Sequence, residues 1–582
     1  MLFACQESLE KKMDWTSTLK KNPTIVNLIE KELNVSKVIA QLLVNRDIND
    51  FNKAKEFFRP SLNDLHDPYL MKDMHESVLR IEKAKEKQEK IMIYGDYDVD
   101  GTTSVTLLHS FFSKYFKEII PYMPDRKSEG YGISLKGIKK AKENNVSLII
   151  AIDCGINALG EVDFARKNGI DFIICDHHLP SKELPNAIGV LNPKRIDCEY
   201  PFKELCGCGI GFKLIQAFYL KWKLDFNKII KYTDLVAIAI ISDIVPIIDE
   251  NRTISHFGIK QLEKNNRIGL KPLLDIIVKP IKASDIAFKI APVINAAGRL
   301  SHAKEAFEMM SSTNIDYAEK KYIFLDNLNK KRRSIEELIT KEALDQIELL
   351  GDVENSSSVV YKKDWNKGVI GIVASRLIEK YYRPTIVFTA EGKNLVGSVR
   401  SVKNFDIYKI LEKCSNNIIE FGGHKYAAGV TIKKNNFNSF KKSFEDAVKN
   451  NIQEFNKLQI LLYDTEIFFD EINFKTYRII SQMGPFGISN LKPVFISKKC
   501  QEKTKTTLVG KNKKHLKLLI KDKKGKVMPG IAFNKSSYID KIGGNVLFDI
   551  LYTIDENSWN GEKFLQLVIK DFKINKPHAN KP

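Results

Sequence analysis

Three short apolar runs that end on acids or histidines constrain this chain more than any other feature of it. "KIMIYGDYDVDG" (90–101) places Asp96, Asp98 and Asp100 within five positions, "VSLIIAIDCG" (146–155) ends on Asp153, and "DFIICDHH" (171–178) ends on Asp176, His177 and His178. Short apolar runs bounded by turn residues read as buried strands. Amphipathic stretches such as "GISLKGIKKAKENN" and "ALGEVDFARKNG" lie between them, and strands alternating with helices fold as a parallel sheet. The polar ends then meet at the carboxyl edge, where open α/β sheets place their ligands.

An EF-hand is the first use to test for so much negative charge, because Asp96, Asp98, Asp100 and Gly101 fall at its positions one, three, five and six. The twelfth residue, which has to be a bidentate glutamate, is Leu107, and a strand precedes the loop where a helix is needed. A fourth apolar segment, "AIAIISDIVP", adds Asp243, whether it is helix or strand. Carboxylates crowded together raise one another's pKa and take up protons unless cations neutralise them. Mixed oxygen and imidazole ligands suit Mn2+ or Mg2+, and two such ions about 3.5–4 Å apart are typical of phosphoester hydrolysis. One acid must bridge them, and Asp153, isolated at a central strand end, is the expected bridge.

The rest of the chain divides by pattern. Residues 1–70 carry helical periodicity ("IVNLIEKELNVSKVIAQLLVN") and close on the prolines of "RPSLNDLHDPYL". The α/β domain is expected over 71–260, a charged helical connector over 261–350, a second α/β unit over 351–455 and an all-β module over 456–582. The formal charge of +20 favours a polyanionic partner. Residues 501–526 hold ten lysines against Glu502 and Asp522, with alternation at Leu516, Leu518 and Ile520 that suits one basic face of a β-domain. No apolar run reaches membrane-spanning length, since "LVAIAIISDIVPII" is broken by Asp243, and "MLFACQESLEKK" lacks the basic-then-apolar order of a signal peptide. A cytoplasmic protein without membrane contact is expected. The cysteines show no metal-ligand spacing, and Cys206 and Cys208 in "LCGCGIGFKL" read as small residues of a Gly-rich turn.

The ordered set "DYDVDG", "DCG", "DHH" and "SDIVP" resembles the DHH phosphoesterase superfamily and, within it, the bacterial RecJ exonucleases. "PDRKSEGYG" (124–132), "PVINAAGRL" (292–300), "GVIGIVASRL" (368–377), "GSVRS" (397–401), "GGHKYAAG" (422–429) and "GPFGISN" (484–490) follow in the order of that family. The resemblance runs from about residue 15 onward, which makes Met13 an alternative start to Met1. It implies a parallel-sheet DHH domain, a long helical connector, a DHH-associated α/β domain and a C-terminal OB-fold.

The same resemblance implies that Asp98, Asp100, Asp153, His177 and Asp243 hold two metals, with Asp153 shared. His178 then contacts the scissile phosphate, while Asp96 and Asp176 orient ligands and histidines by hydrogen bonding. Tyr94 stands where several relatives carry a histidine ligand, so one ion would keep an extra water or draw on Asp96. Arg126, Arg299, Ser398 and Arg400 match positions that hold the substrate backbone or its 5′ end, and His424 is placed to donate to a phosphate oxygen. Phe486, Phe533 and Trp559 are the candidate base stackers of the β module, with core packing the expected role of each.

The implied activity is two-metal hydrolysis of single-stranded DNA from its 5′ end to mononucleotides, by a monomer serving DNA repair and recombination. A helicase and a single-strand-binding protein are the further partners considered. Two alternatives stand beside it. A DHH phosphodiesterase for oligoribonucleotides or cyclic dinucleotides needs both lobes but no C-terminal β module, and a non-catalytic single-strand scaffold needs no complete ligand set.

Overall fold

The computed structural model describes residues 13–451 and 459–575, so the alternative start at Met1 lies outside the described residues. The first strand, β1 (Met13–Ser17), pairs far away in sequence, in parallel with Gln459–Tyr463. The apolar runs then become adjacent parallel strands: β2 (Lys90–Gly95), β3 (Ile119–Tyr122), β4 (Val146–Ile152), β5 (Asp171–Cys175) and β6 (Gly189–Leu191), in the order β3-β2-β4-β5-β6. Side chains alternate between the faces of a strand, and both faces here are covered. Ile91, Ile93, Leu148, Ile150 and Ile173 enter one core with the helices Val99–Phe112, Gly207–Lys221 and Thr233–Ser242. Met92, Tyr94, Ile149, Ala151 and Phe172 enter a second core, with the helices Leu135–Glu143 and Leu159–Lys167. This explains why the runs are apolar throughout instead of alternating.

The first core continues past residue 260, taking in Leu262, Leu270, Ile286, Ile294, Met309 and Leu325. From there the 35-residue helix Ile315–Leu349 crosses to the second lobe. Its early residue Leu325 belongs to the first core, and its late residues Ile339, Ala343 and Ile347 pack with Val369, Val373 and Leu377 of that lobe. The second lobe is built on β7 (Ser358–Tyr361), β8 (Thr385–Glu391), β9 (Asn394–Arg400), β10 (Glu420–His424) and β11 (Ala427–Lys433), in the order β10-β11-β9-β8-β7.

The remaining strands are β12 (Gln459–Tyr463), β13 (Thr465–Glu466), β14 (Phe495–Val509), β15 (His515–Lys521), β16 (Val527–Ala532), β17 (Phe548–Trp559) and β18 (Glu562–Ile574). Register shifts along β14 let its first half pair with β17 and its second half with β15, which closes β14-β15-β16-β18-β17 into a barrel. The N-terminal helices Pro23–Leu33 and Lys37–Val44 complete this barrel unit, because Val26, Ile29, Leu42 and Leu43 share its core with Phe469, Phe495 and Tyr552. The Trp15 indole N–H donates to Asp571 at 3.0 Å. Leu65 and Met71 instead join the core of the first sheet, so the N-terminal region serves two units. Among the described residues no helix is long and apolar enough to cross a membrane.

Leu43 is fully buried between its helix and the barrel. Leu43→Ala is expected to cost about 2–5 kcal/mol, and hydrogen exchange is expected to speed up in β15 and β16 with little change in β2, β4 and β5.

Candidate metal centre and substrate cleft

The turn after β2 carries three acids that do different work. Asp98 caps the helix Val99–Phe112 by accepting from Gly101 N at 3.0 Å. Asp100 is buried within the first turn and accepts from Gly207 N at 2.7 Å and Cys208 N at 2.8 Å. Asp96 is buried with its Oδ1 unpaired. The segment expected to be a Gly-rich turn at Cys206 and Cys208 is in fact the start of the buried helix Gly207–Lys221, with Cys206 as its N-cap. Asp100 therefore sits on the partial positive charge of that helix end. Gly207 has to lack a side chain, because a Cβ there would lie 2.5 Å from the Cβ of Asp153.

Asp153 follows β4 directly and adopts a left-handed φ of 61°, an uncommon conformation that turns its carboxylate over the sheet edge. His177, after β5, points its Nε2 into the acids: 3.2 Å from Asp153 Oδ1, 3.6 Å from Asp243 Oδ2 and 3.9 Å from Asp100 Oδ2. Asp243 arrives at the end of a helix, Thr233–Ser242, which settles the helix-or-strand question for that segment. An imidazole nitrogen carries at most one proton, so it cannot satisfy three carboxylates, and Asp153 Oδ1 lacks any hydrogen-bond partner. The donor set fits divalent cations. Asp100, His177 and Asp243 form one group with ligand atoms near enough to share an ion, and Asp153 and His177 lie equally close in a second group whose third member, His178, is held by Asp176. Asp98 belongs to neither tight group but stands close enough to act on Asp96, Asp100, Asp153 and Asp243.

The electrostatics agree. Burial and then Asp98 push Asp100 up to about 6, and burial followed by Asp100 and Asp98 pushes Asp243 up to about 8. Asp153 and Asp96 are held well above the carboxylate range by burial and by their acidic neighbours. His177 is driven down to about 3 by burial and by the charge of His178, which leaves its ring neutral and able to ligate. His178 behaves oppositely: burial would lower it, but its hydrogen bond and charge interaction with Asp176 raise it to about 9. Its Nδ1–H donates to Asp176 Oδ1 at 2.7 Å. Asp176 also accepts from Ile156 N, His177 N and His178 N, so it fixes the whole histidine pair.

Tyr94 is fully buried, and its hydroxyl donates to Gly132 O and accepts from Ser134 N, each at 3.0 Å. Its oxygen is thereby committed to the 132–134 loop. Not read from the sequence were the amides of Gly207 and Cys208, and Tyr131, whose hydroxyl lies 3.1 Å from His178 Nε2. No local pattern marks them, since their partners lie 107 and 47 positions away.

The basic residues gather where the lobes meet. Arg126 lies over the Tyr97 ring at 5.1 Å, and Arg299 donates to Gly368 O of the second lobe at 3.0 Å. Along β9, Val399 enters the core of the second lobe while Ser398 and Arg400 face outward. Both border the start of the helix Ile370–Tyr381, where a Cβ on Gly371 would meet Arg400 Nη2 at 2.9 Å and Ser398 Oγ at 3.4 Å. Burial, then Arg126, Arg332 and Arg400, lowers Arg299 to about 10, against an opposing pull from Asp98. His424, at the end of β10, lies face to face with His178 across the lobes, ring centroids 6.5 Å apart.

In the barrel, Phe533 is half exposed against His515, which corrects its expected core role, and Phe486 lines a cavity of about 660 Å³ with Ile244, Phe288 and Leu491. The Trp559 side chain lies outside the described residues. Lys517 and Lys521 alternate with buried Leu518 and Ile520 on β15, as expected. Lys498 and Lys524 are paired with Glu466 and Asp470.

A parallel sheet whose carboxyl edge gathers buried acids and two histidines, facing a second lobe with arginines where the two meet, defines a DHH-type phosphoesterase architecture. The family models agree: "DHH family, N-terminal domain" matches residues 90–240, "DHHA1 domain" 355–450 and "RecJ OB domain" 463–571. The single-stranded-DNA-specific exonuclease RecJ of Bacillus subtilis (strain 168) is 35% identical over 572 residues, 97% of this chain and 71% of the relative. Crystal structures of RecJ from Thermus thermophilus, in complex with Mn2+ and with Mg2+, share the fold. Their TM-scores are 0.83 and 0.77 and their identities 24% and 23%, over 97% of this chain and 80% and 79% of theirs. The chain belongs to the RecJ family.

Asp100 and Asp243 hold their protons more tightly folded than unfolded, so the metal-free protein loses stability as pH rises from the ordinary carboxylate range through about 6 and then about 8. Melting temperatures of EDTA-treated protein are expected to fall across that window. Added Mn2+ is expected to raise them more above about pH 8 than below about pH 6, because cations displace those protons.

Proposed function

We propose that this chain is a metal-dependent exonuclease that degrades single-stranded DNA from the 5′ end to mononucleotides, in DNA repair and recombination. The observation that carries this reading is the convergence of Asp100, Asp153 and Asp243 on His177 Nε2 beside arginines that lower one another's proton affinity. Asp98, Asp100, Asp153, His177 and Asp243 would hold two divalent ions, Mn2+ or Mg2+, with Asp153 between them. Such ions supply a nucleophilic hydroxide at neutral pH and neutralise charge on the phosphoryl oxygens. The protein's own part is to bind, orient and neutralise. His178, charged and fixed by Asp176, presents Nε2–H to a non-bridging oxygen once the strand displaces the Tyr131 hydroxyl. Asp96 and Asp176 act by orienting their neighbours.

Arg299, Ser398, Arg400 and the start of the helix Ile370–Tyr381 form a cradle for a terminal phosphate, which gives the reaction its polarity. Arg126 holds the adjoining backbone and His424 closes over it from the second lobe. The ring-to-ring approach of His178 and His424 leaves no room for a duplex. The working units are then a metal domain beginning near 71, a connector ending near 350, a phosphate-binding domain over 351–455 and a nucleic-acid-binding barrel from 456 that the N-terminal helices complete. Lys517 and Lys521 are placed to follow the strand on the barrel's outer face. The proposed ligands all come from one chain, which supports action as a monomer, and a DNA substrate favours the cytoplasm. A helicase and a single-strand-binding protein are the partners that would deliver and hold unpaired DNA.

The test is Mn2+-dependent digestion of a 5′-labelled single strand beside a duplex and a dinucleotide. Early release of labelled mononucleotide from the single strand alone is expected, with Asp153→Ala abolishing it and His178→Ala lowering kcat by about 10²–10³. Arg400→Ala is expected to raise KM for 5′-phosphorylated strands by about tenfold, the worth of one charge-assisted hydrogen bond. Activity confined to the dinucleotide would point to the small-substrate phosphodiesterase, and none at all to the binding scaffold.

A further inference from the structure

Asp243 differs from the other acids of the centre in how it is held. Asp100 sits in a helix, Asp153 follows a strand and His177 is anchored by Asp176, but Asp243 is the last residue before the irregular segment 244–248. Ile244 immediately after it has a left-handed φ of 61° and is 65% exposed. A β-branched residue in that conformation is strained and persists only where its surroundings hold it.

Those surroundings come from the barrel unit. Ile247 N donates to Ile488 O at 2.8 Å, and Gly487 packs so closely that a Cβ on it would lie 2.5 Å from Ile247 Cγ1. Arg252, one turn into the helix Asp249–Lys264, sends Nη2 to Gly484 O at 3.0 Å while its guanidinium lies 3.8 Å over the ring of Phe57, from the helix Phe51–Phe58. The 483–491 loop is itself braced. Asn490 Nδ2 donates to Met483 O and Pro485 O, and Arg46 donates to Asn490 Oδ1 and Leu491 O. Within the catalytic domain, Asn251 Nδ2 donates to Pro246 O at 3.0 Å and to Glu204 O at 2.6 Å.

We infer that the barrel unit is a structural part of the metal centre: through Arg252 and the 483–491 loop it holds the segment after Asp243 in the conformation that presents this carboxylate to a cation. Arg252 and Gly487 are positioning residues, since neither reaches the centre itself. The inference rests on the proposed metal site but requires neither DNA nor turnover.

The experiment is calorimetric titration of Mn2+ into the full-length protein, with Gly487→Val, Arg252→Ala, Arg252→Lys and, as the benchmark, Asp243→Ala. Gly487→Val and Arg252→Ala are expected to weaken Mn2+ binding by about tenfold, the lower end of what outer-sphere supports contribute. Arg252→Lys is expected to lie between them and the unsubstituted protein. Affinity for an oligothymidylate in EDTA is expected to be unchanged. If Arg252→Ala does not fold, Gly487→Val carries the test, and its melting curve in EDTA shows that it is folded. Mn2+ binding in a folded Gly487→Val as tight as in the unsubstituted protein overturns the inference, as does a loss confined to oligothymidylate affinity. Unsubstituted protein that binds Mn2+ but does not cut DNA overturns the proposed function alone, whereas absence of Mn2+ binding overturns both.

Discussion

Repulsion among buried carboxylates is the constraint on which the rest of this structure depends. Asp96, Asp100, Asp153 and Asp243 meet at one sheet edge, and each is held above the ordinary carboxylate range by burial and by acidic neighbours, Asp98 acting on all four. The fold brings them together because parallel strands end side by side and because two helices, Val99–Phe112 and Gly207–Lys221, begin at that edge and offer backbone amides to Asp98 and Asp100. What remains unbalanced is balanced by cations, and that requirement gives the site its chemistry.

A second imbalance of opposite sign faces the first. Arg126, Arg299, Arg332 and Arg400 repel one another where the lobes meet. In the proposed function a phosphodiester strand would relieve both, its phosphates serving as ligands for the ions on one side and as counter-ions for the arginines on the other. The helix Ile315–Leu349, with one end in the core of each lobe, sets the distance of Arg400 from the acids, whereas Arg126 and Arg299 share the lobe of the acids. The separation belongs to packed apolar side chains, and the affinity to charge.

The division into units is less simple than the order of elements suggests. The N-terminal helices belong to the C-terminal barrel, whose Ile488 O accepts from Ile247 N in the loop that follows Asp243. A barrel that resembles an accessory for holding DNA is thereby in direct contact with the segment that carries a metal-site acid. Arg252, between Phe57 and Gly484 O, ties three parts of the chain in one side chain.

The strands β2, β4 and β5 were legible because a sheet covered on both faces demands uninterrupted apolar runs, and their acids were legible because few folds tolerate charge directly behind such runs. The helical nature of the Asp243 segment was not legible, since a fully buried helix and a buried strand are equally apolar. Nor was the helix starting at Gly207, because its glycines imitate a turn and its reason, the close approach of Asp153, lies far away in the chain.

By itself the sequence determined the parallel sheet, the acidic edge and the class of chemistry, because these follow from local pattern and from the cost of burying like charge. Only the tertiary structure decided which amides hold Asp100, that Tyr94 is turned to Ser134, and that the barrel braces Asp243. Such contacts join residues more than a hundred positions apart, or turn on the direction of a single hydroxyl, and neither leaves a periodic trace in the chain.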